Sequence, residues 1–247
     1  YAKKEELKSM LCGTNMTDIK ISNRSAILRL LHEAGAMSRK QIAARLKLTP
    51  ATITVIINEL MNESILVEGN SVPNAGAVGR REVMVEISRE KYVALGLALS
   101  QGLVKFTVVN LHGEIIHEET FKLPEILTPE YFAETIGRQI QLKIASYGYS
   151  ENFIIGIGIT VCGVVDFANG IILDSDGIWE EKNVPIVKMF RKQFSFPVIA
   201  ANNVRSYANA YAFLQHDSQL QNMLFIRNEA TMGVSLILNG QFYGGDR

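Results

Sequence analysis

The chain of 247 residues has little sulfur chemistry to offer: its two cysteines, Cys12 and Cys162, lie far apart and neither has a partner at zinc-knuckle spacing. That excludes a disulfide-scaffolded domain and a metal knuckle, and a reducing cytoplasm is the expected compartment. No run of about 18 apolar residues occurs, and the stretch from Tyr1 to Leu11 is charged and lacks the apolar centre of a signal peptide. Neither a spanning helix nor export is therefore expected. An excess of one charge is missing too, with 25 basic against 25 acidic residues. What remains is an ordinary globular composition, 47 % apolar and 20 % charged, long enough for two domains. The overall neutrality hides an asymmetry. Residues 1–91 hold 14 Lys+Arg against 10 Asp+Glu, a net of +4, and residues 92–247 hold 11 against 15, a net of −4. A polyanion would sit on the first part.

In that part, Ile27, Leu28, Leu30 and Leu31 fall on one face of a helix predicted over Asn23 to Ala34, with Ser22 as N-cap and Gly35 just past the end. Ser38-Arg39-Lys40-Gln41 is a capping box, in which hydroxyl and amide each satisfy an open backbone N–H, and it opens a short second helix carrying Ile42, Ala43 and Leu46. After Lys47 and Leu48, Thr49-Pro50 supplies an N-cap with proline at the first helical position. Ile53, Ile56, Ile57 and Leu60 mark the buried side of this third helix. Two short helices joined by a tight turn make a helix-turn-helix. The outward positions Ala51, Thr52, Thr54, Val55 and Asn58, with Thr49 at the cap, are short side chains that let a helix enter a major groove and read base edges. Arg39, Lys40, Arg45 and Lys47 crowd the preceding helix and turn, where phosphate contacts would set the register. Ile65 to Glu68 and Glu82 to Ile87 read as two strands around a loop over Gly69 to Gly79. This is a wing, whose tip offers Arg80 and Arg81 to a minor groove or to phosphates. The plainer reading is a helical module that packs or binds protein. Both caps, the groove-compatible face and the basic wing favour DNA.

From Tyr92 the texture changes. Tyr92–Leu99, Val104–Leu111 and Glu114–Leu123 read as three strands in meander order. A helix over Pro129–Tyr147, a strand over Phe153–Val161, a helix over Ile186–Phe194, a strand over Pro197–Ala201, a helix over Val204–Leu214 and strands over Asn222–Ile226 and Val234–Leu238 follow. The alternation predicts an α/β domain over residues 92–247, behind a winged helix-turn-helix domain over 1–91.

Ile155-Gly156-Ile157-Gly158-Ile159-Thr160-Val161-Cys162-Gly163-Val164-Val165-Asp166 resembles the glycine-rich strand and turn of the ROK family (repressors, open reading frames and sugar kinases), with Cys162 where a proline is commoner. Asn183-Val184-Pro185, Phe196-Pro197-Val198 and Asn202-Asn203 follow in the order of that family's sugar cleft. The resemblance runs from about Asn23 to Arg247 and implies an actin-like, ribonuclease-H-like ATPase fold, incomplete at its C-terminal side. A winged helix-turn-helix ahead of such a domain is the layout of the family's repressor branch.

Departures from the family pattern bear on chemistry. The kinases' Asp-x-Gly-Gly-Thr phosphate turn aligns with Ala98, Leu99, Ser100, Gln101 and Gly102, and their Glu-Asn-Asp triplet with Ala201-Asn202-Asn203. An amide at 203 has no useful basicity near neutral pH, so it cannot deprotonate a sugar hydroxyl. The second phosphate loop reads Glu229-Ala230-Thr231-Met232-Gly233, with a carboxylate that would repel phosphates. No catalytic residue is therefore expected. Sugar recognition is, because amides donate and accept. The resemblance assigns it to Gly163, Asp176, Asn202 and Asn203, while Trp179 fits either a ring-stacking or a core role. No cofactor is expected in this chain, since the family's zinc site would lie beyond residue 247. The expected partners are double-stranded operator DNA, a sugar or sugar-phosphate effector and a second copy of the chain. The rival readings are a ROK-type sugar kinase with an N-terminal helical domain, or a ligand-independent DNA- or protein-binding module.

Overall fold

The computed structural model describes residues 16–69, 82–124, 128–214, 221–228 and 232–243. Its contacts divide the chain into two compact units between Ser88 and Arg89.

The first unit contains α1 (Met16–Ala34), β1 (Met37–Ser38), α2 (Arg39–Leu46), α3 (Pro50–Asn62), β2 (Leu66–Glu68) and β3 (Met84–Ile87). Gly35 ends α1 at φ +74, its N–H bonding the Leu31 carbonyl at 3.0 Å, a left-handed position that glycine takes without strain. The start of α1 corrects the expectation from Ser22, which lies exposed inside the helix rather than capping it. No Gly or Pro interrupts residues 16–22, and an ion pair from Lys20 to Glu59 on α3 at 2.7 Å ties the added turns down, with Arg24 one turn on paired to Glu63, just past α3, at 2.5 Å. A serine's capping preference is local and yields to such tertiary contacts. Ser38 does cap α2, with both halves of the capping box formed, and Thr49 caps α3 by accepting from the Thr52 N–H. The three helices bury Ile27, Leu31, Ile42, Ile53, Ile57 and Leu60 together. β1 pairs with β3 (Met37↔Val85) and β2 with β3 (Leu66↔Ile87), all antiparallel, and so close the winged-helix sheet. The wing tip, including Arg80 and Arg81, lies outside the described residues.

In the second unit β4 (Val93–Ser100), β5 (Leu103–Asn110) and β6 (Ile115–Lys122) form the expected antiparallel meander. After α4 (Pro129–Ser146), β7 (Ile154–Val161) pairs parallel to β4, and β10 (Val198–Asn202) pairs parallel to β7, giving the order β10-β7-β4-β5-β6. α4 is capped by Thr128 and buries Phe132, Ala133, Ile136, Ile140 and Ile144 in the core shared with Leu95, Leu97, Phe106, Ile157 and Ile159.

Two departures from the sequence reading stand out in this unit. One is the hairpin of β8 (Val164–Asp166) and β9 (Ile171–Asp174), too short for a periodic signal. The other is the early end of α5 (Ile186–Phe190), where a helix to Phe194 was expected. Phe194 is still buried, but it stacks on Phe196 at 4.9 Å, so aromatic packing, not helix, accounts for its apolar character. α6 (Asn203–Leu214) follows β10 directly and packs against a separate antiparallel sheet of β11 (Met223–Asn228), β12 (Met232–Leu238) and β13 (Gln241–Phe242). That contact is close: a Cβ on Gly233 would lie 2.3 Å from Val204 Cγ2.

Because β4, β7 and β10 run parallel, with Leu99 and Asn202 both opposite Val161, their carboxyl ends meet at one edge of the sheet. The turn at 101–102, the turn at 162–163 and the start of α6 gather there, the usual place for a ligand in an open α/β sheet.

Candidate nucleic-acid interface and ligand cleft

α3 faces solvent through the residues its sequence assigned there. Ala51, Thr54, Val55 and Asn58 are exposed and Thr52 is half-buried, while Ile53, Ile56, Ile57 and Leu60 are buried. The 100° helical step produces this split, and the Pro50 ring and Thr49 cap fix where the helix begins. The polar groups on this face are already oriented by neighbours. Thr49 Oγ1 and Thr52 Oγ1 share a hydrogen bond of 2.9 Å, Thr54 Oγ1 donates to the Pro50 carbonyl at 2.8 Å, and Arg39 Nη2 donates to Asn58 Oδ1 at 3.4 Å. Lys40, Arg45 and Lys47 are exposed along α2 and the turn. Lys47 takes φ 54 as the C-cap of α2, and this left-handed step lets α3 start three residues later, at Pro50.

At the sheet edge of the second unit the candidate ligand residues lie close together, and most of their polar groups are engaged in the fold. Asn202 Nδ2 donates to the Gly163 carbonyl at 2.7 Å, while its Oδ1 accepts from the Val204 and Arg205 N–H groups at 2.9 and 3.2 Å. Asn202 is thus the N-cap of α6 and also the tie to the turn after β7. Gly163 sits at φ +124, where a Cβ would meet the Asp174 carbonyl oxygen at 2.1 Å, so the turn demands glycine whatever it binds. Asn203 Nδ2 donates to Cys162 Sγ at 3.5 Å and its Oδ1 accepts from the Val204 N–H at 2.8 Å. No carboxylate stands in the catalytic base's aligned position.

Asp176 is exposed at φ 50, its N–H donating to Asp174 Oδ1 at 3.1 Å. That bond, with Lys182 at 3.1 Å from the same carboxylate, holds Asp174 below the usual aspartate range. Gln101, in the turn aligned with the kinases' phosphate turn, donates through Nε2 to the Asp176 carbonyl at 3.4 Å and ties the two loops together. Trp179 is only 7 % exposed and lies 5.6 Å from the Phe132 ring, so it anchors the core and is not available to stack on a sugar. Residues 229–231, with Glu229 of the second phosphate loop, lie outside the described residues.

Sequence reasoning missed Arg205. Its guanidinium lies 4.5 Å from the centre of the Phe167 ring beyond β8 and 4.8 Å from that of Phe242 on β13, bridging hairpin and second sheet. An arginine one turn into a helix and two distant phenylalanines carry no sequence signal of their pairing.

Residues 22–67 match the winged helix-turn-helix DNA-binding model, and residues 95–247 match that of the ROK family. The chain is 26 % identical to the DNA-binding transcriptional dual regulator NagC of Escherichia coli K12, over 94 % of this chain and 56 % of NagC. It is 22 % identical to the xylose repressor of Bacillus subtilis 168, over 94 % of this chain and 59 % of the repressor. It therefore spans a little over half the length of these curated relatives. A solved ROK family transcriptional regulator, a homologue of the Escherichia coli Mlc protein, shares the fold with a TM-score of 0.75 at 23 % identity, covering 92 % of this chain and 57 % of that one. A ROK hexokinase from Thermus thermophilus has a TM-score of 0.51 at 20 % identity, covering 63 % of this chain and 50 % of the hexokinase. With more than half of its residues inside the family match and a winged helix-turn-helix ahead of them, the chain belongs to the ROK family.

Proposed function

We propose that the chain is a sequence-specific DNA-binding transcriptional regulator, a repressor of sugar-metabolism genes, whose second unit senses a sugar or sugar phosphate without phosphorylating it. The observation that carries this reading is α3: a capped helix presenting small, uncharged, exposed side chains beside a basic α2, on a winged helix joined to a ROK domain. The likeness to NagC, a DNA-binding transcriptional dual regulator, and to a xylose repressor supports it. Lys40, Lys47 and, at the wing, Arg80 and Arg81 serve as phosphate contacts, Arg39 stands beside them on the DNA-facing side, and Thr49, Ala51, Thr52, Thr54, Val55 and Asn58 face the bases. The protein acts in the cytoplasm as a homodimer on a palindromic operator. Ligand at Gly163, Asp176, Asn202 and Asn203 alters the separation of the two recognition helices, and half-sites about one helical turn apart make affinity sensitive to that separation. The effector must bind the two states unequally for this coupling to exist.

Catalysis is absent in this reading. Asn203 is no base, and the Gln101 side-chain amide is bonded to the Asp176 carbonyl on a neighbouring loop.

Titration of the chain against its own upstream DNA across a salt series, with and without a panel of sugars and sugar phosphates, tests the proposal. Specific, salt-dependent binding that one sugar alters is the expected result. Sugar-dependent ATP turnover without specific DNA binding would replace the regulator with a kinase.

A further inference from the structure

The contact between Arg39 and Asn58 is not accounted for by a phosphate-anchoring role for Arg39. Arg39 is half-buried, and its Nη2 lies 3.4 Å from Asn58 Oδ1 and 3.4 Å from Met61 Sδ, both on α3. A guanidinium can only donate, so the Asn58 atom facing it must be the carbonyl oxygen, and the rotation of the amide is thereby set. The second lone pair of Oδ1 and the Nδ2 hydrogens then point to whatever α3 meets. That acceptor–donor pair matches N6 and N7 of adenine in the major groove.

The rest of the face agrees. Val55 is 56 % exposed and, with the Ala51 methyl one turn earlier, offers apolar contact suited to the thymine C5 methyl group. Thr54 has spent its hydroxyl hydrogen on the Pro50 carbonyl, so outward it only accepts, which suits the amino group of adenine or cytosine. Neither Arg nor Lys occurs anywhere in α3, so the side chains that read guanine bidentately are missing from the helix.

Resting on the DNA-binding reading above, we infer that α3 selects an A·T-rich half-site, in which Asn58 takes an adenine edge bidentately, Arg39 is the positioning residue that holds its amide, and Val55 packs on a thymine methyl. Arg39 thereby contributes to specificity through another side chain and not as one more phosphate contact.

Selection of random duplexes by the 247-residue chain, followed by titrations on the enriched site, tests this. A·T pairs are enriched, and at one position adenine is preferred over other bases by about tenfold. Arg39→Met and Asn58→Ala both abolish that preference. In Arg39→Met the slope of log affinity against log salt is unchanged, whereas loss of a phosphate contact would lower it by about 0.9 and leave the preference intact. Uracil in place of the contacted thymine weakens the unmodified chain about fourfold, the worth of one buried methyl, and has no effect on Val55→Ala. Enrichment of G·C-rich sites, or an adenine preference that survives Arg39→Met, overturns the inference while DNA binding stands. Failure to enrich any sequence overturns both.

Discussion

The two units hold their candidate functional residues by opposite means. In the winged helix the decisive contacts are short in sequence: Ser38 with Gln41, Thr49 with Thr52, Thr54 with Pro50. They shape the backbone and leave one face of α3 open. In the ROK unit the corresponding contacts cross the chain, from Asn202 to Gly163 over 39 residues and from Gln101 to Asp176 over 75. There side chains aligned with a kinase's working groups serve as structural ties. The edge is braced by amides, which cap α6 and cross-link the loops around it.

Substitutions sharpen this contrast, and the largest effect is expected at the cleft. Gly163→Ala puts a methyl 2.1 Å from the Asp174 carbonyl at a left-handed φ, and should destabilise the chain by about 3 kcal/mol or more, read as a drop in the thermal midpoint of the ROK unit. A cost below about 1 kcal/mol would mean that the turn is looser than its geometry. Next comes Asn202→Ala, which removes a helix cap and the tie to Gly163 together. About 2 kcal/mol is expected in denaturant titration, and a loss confined to a few tenths would show that water replaces the tie.

In the winged helix a single cap is worth less. Ser38→Ala should cost about 1 kcal/mol in denaturant titration, because both halves of the capping box are lost. A cost of only a few tenths would show that water replaces the cap. The smallest effect is expected at Arg24 and Glu63. The hydrogen bond from Arg24 holds the Glu63 carboxyl below its ordinary range, so the pair stabilises the fold above that range and its contribution is lost as pH falls through it. Because the pair is largely exposed, Glu63→Gln should cost only a few tenths of a kcal/mol at neutral pH and nothing in acid, measured as midpoint against pH.

Legibility in the sequence followed the same division. Capping boxes, a proline at a helix start and apolar spacing are local, and α2, α3 and the buried set Ile53, Ile56, Ile57 and Leu60 were readable from them. The β4–β5–β6 meander was readable for the same reason, since hydrophobic runs and tight turns announce it. Less legible were elements decided at a distance. α1 begins before Ser22, where Lys20 pairs with Glu59 on α3, and β1 is two residues long and is a strand only because β3 lies beside it. At the cleft, the resemblance supplied the positions of Gly163, Asp176, Asn202 and Asn203, but not that Asn202 is spent as a cap or that Trp179 is buried against Phe132.

By itself the sequence determined the two-part organisation, the helix-turn-helix with its open face on α3, and the residues that stand where the kinases have aspartates and phosphate-turn glycines, because each is written in short stretches of the chain. Only the tertiary structure decided which polar groups stay open to a ligand. A buried or bonded amide is known by its partner, and the partners of Asn58, Asn202 and Asn203 stand 19, 39 and 41 residues away.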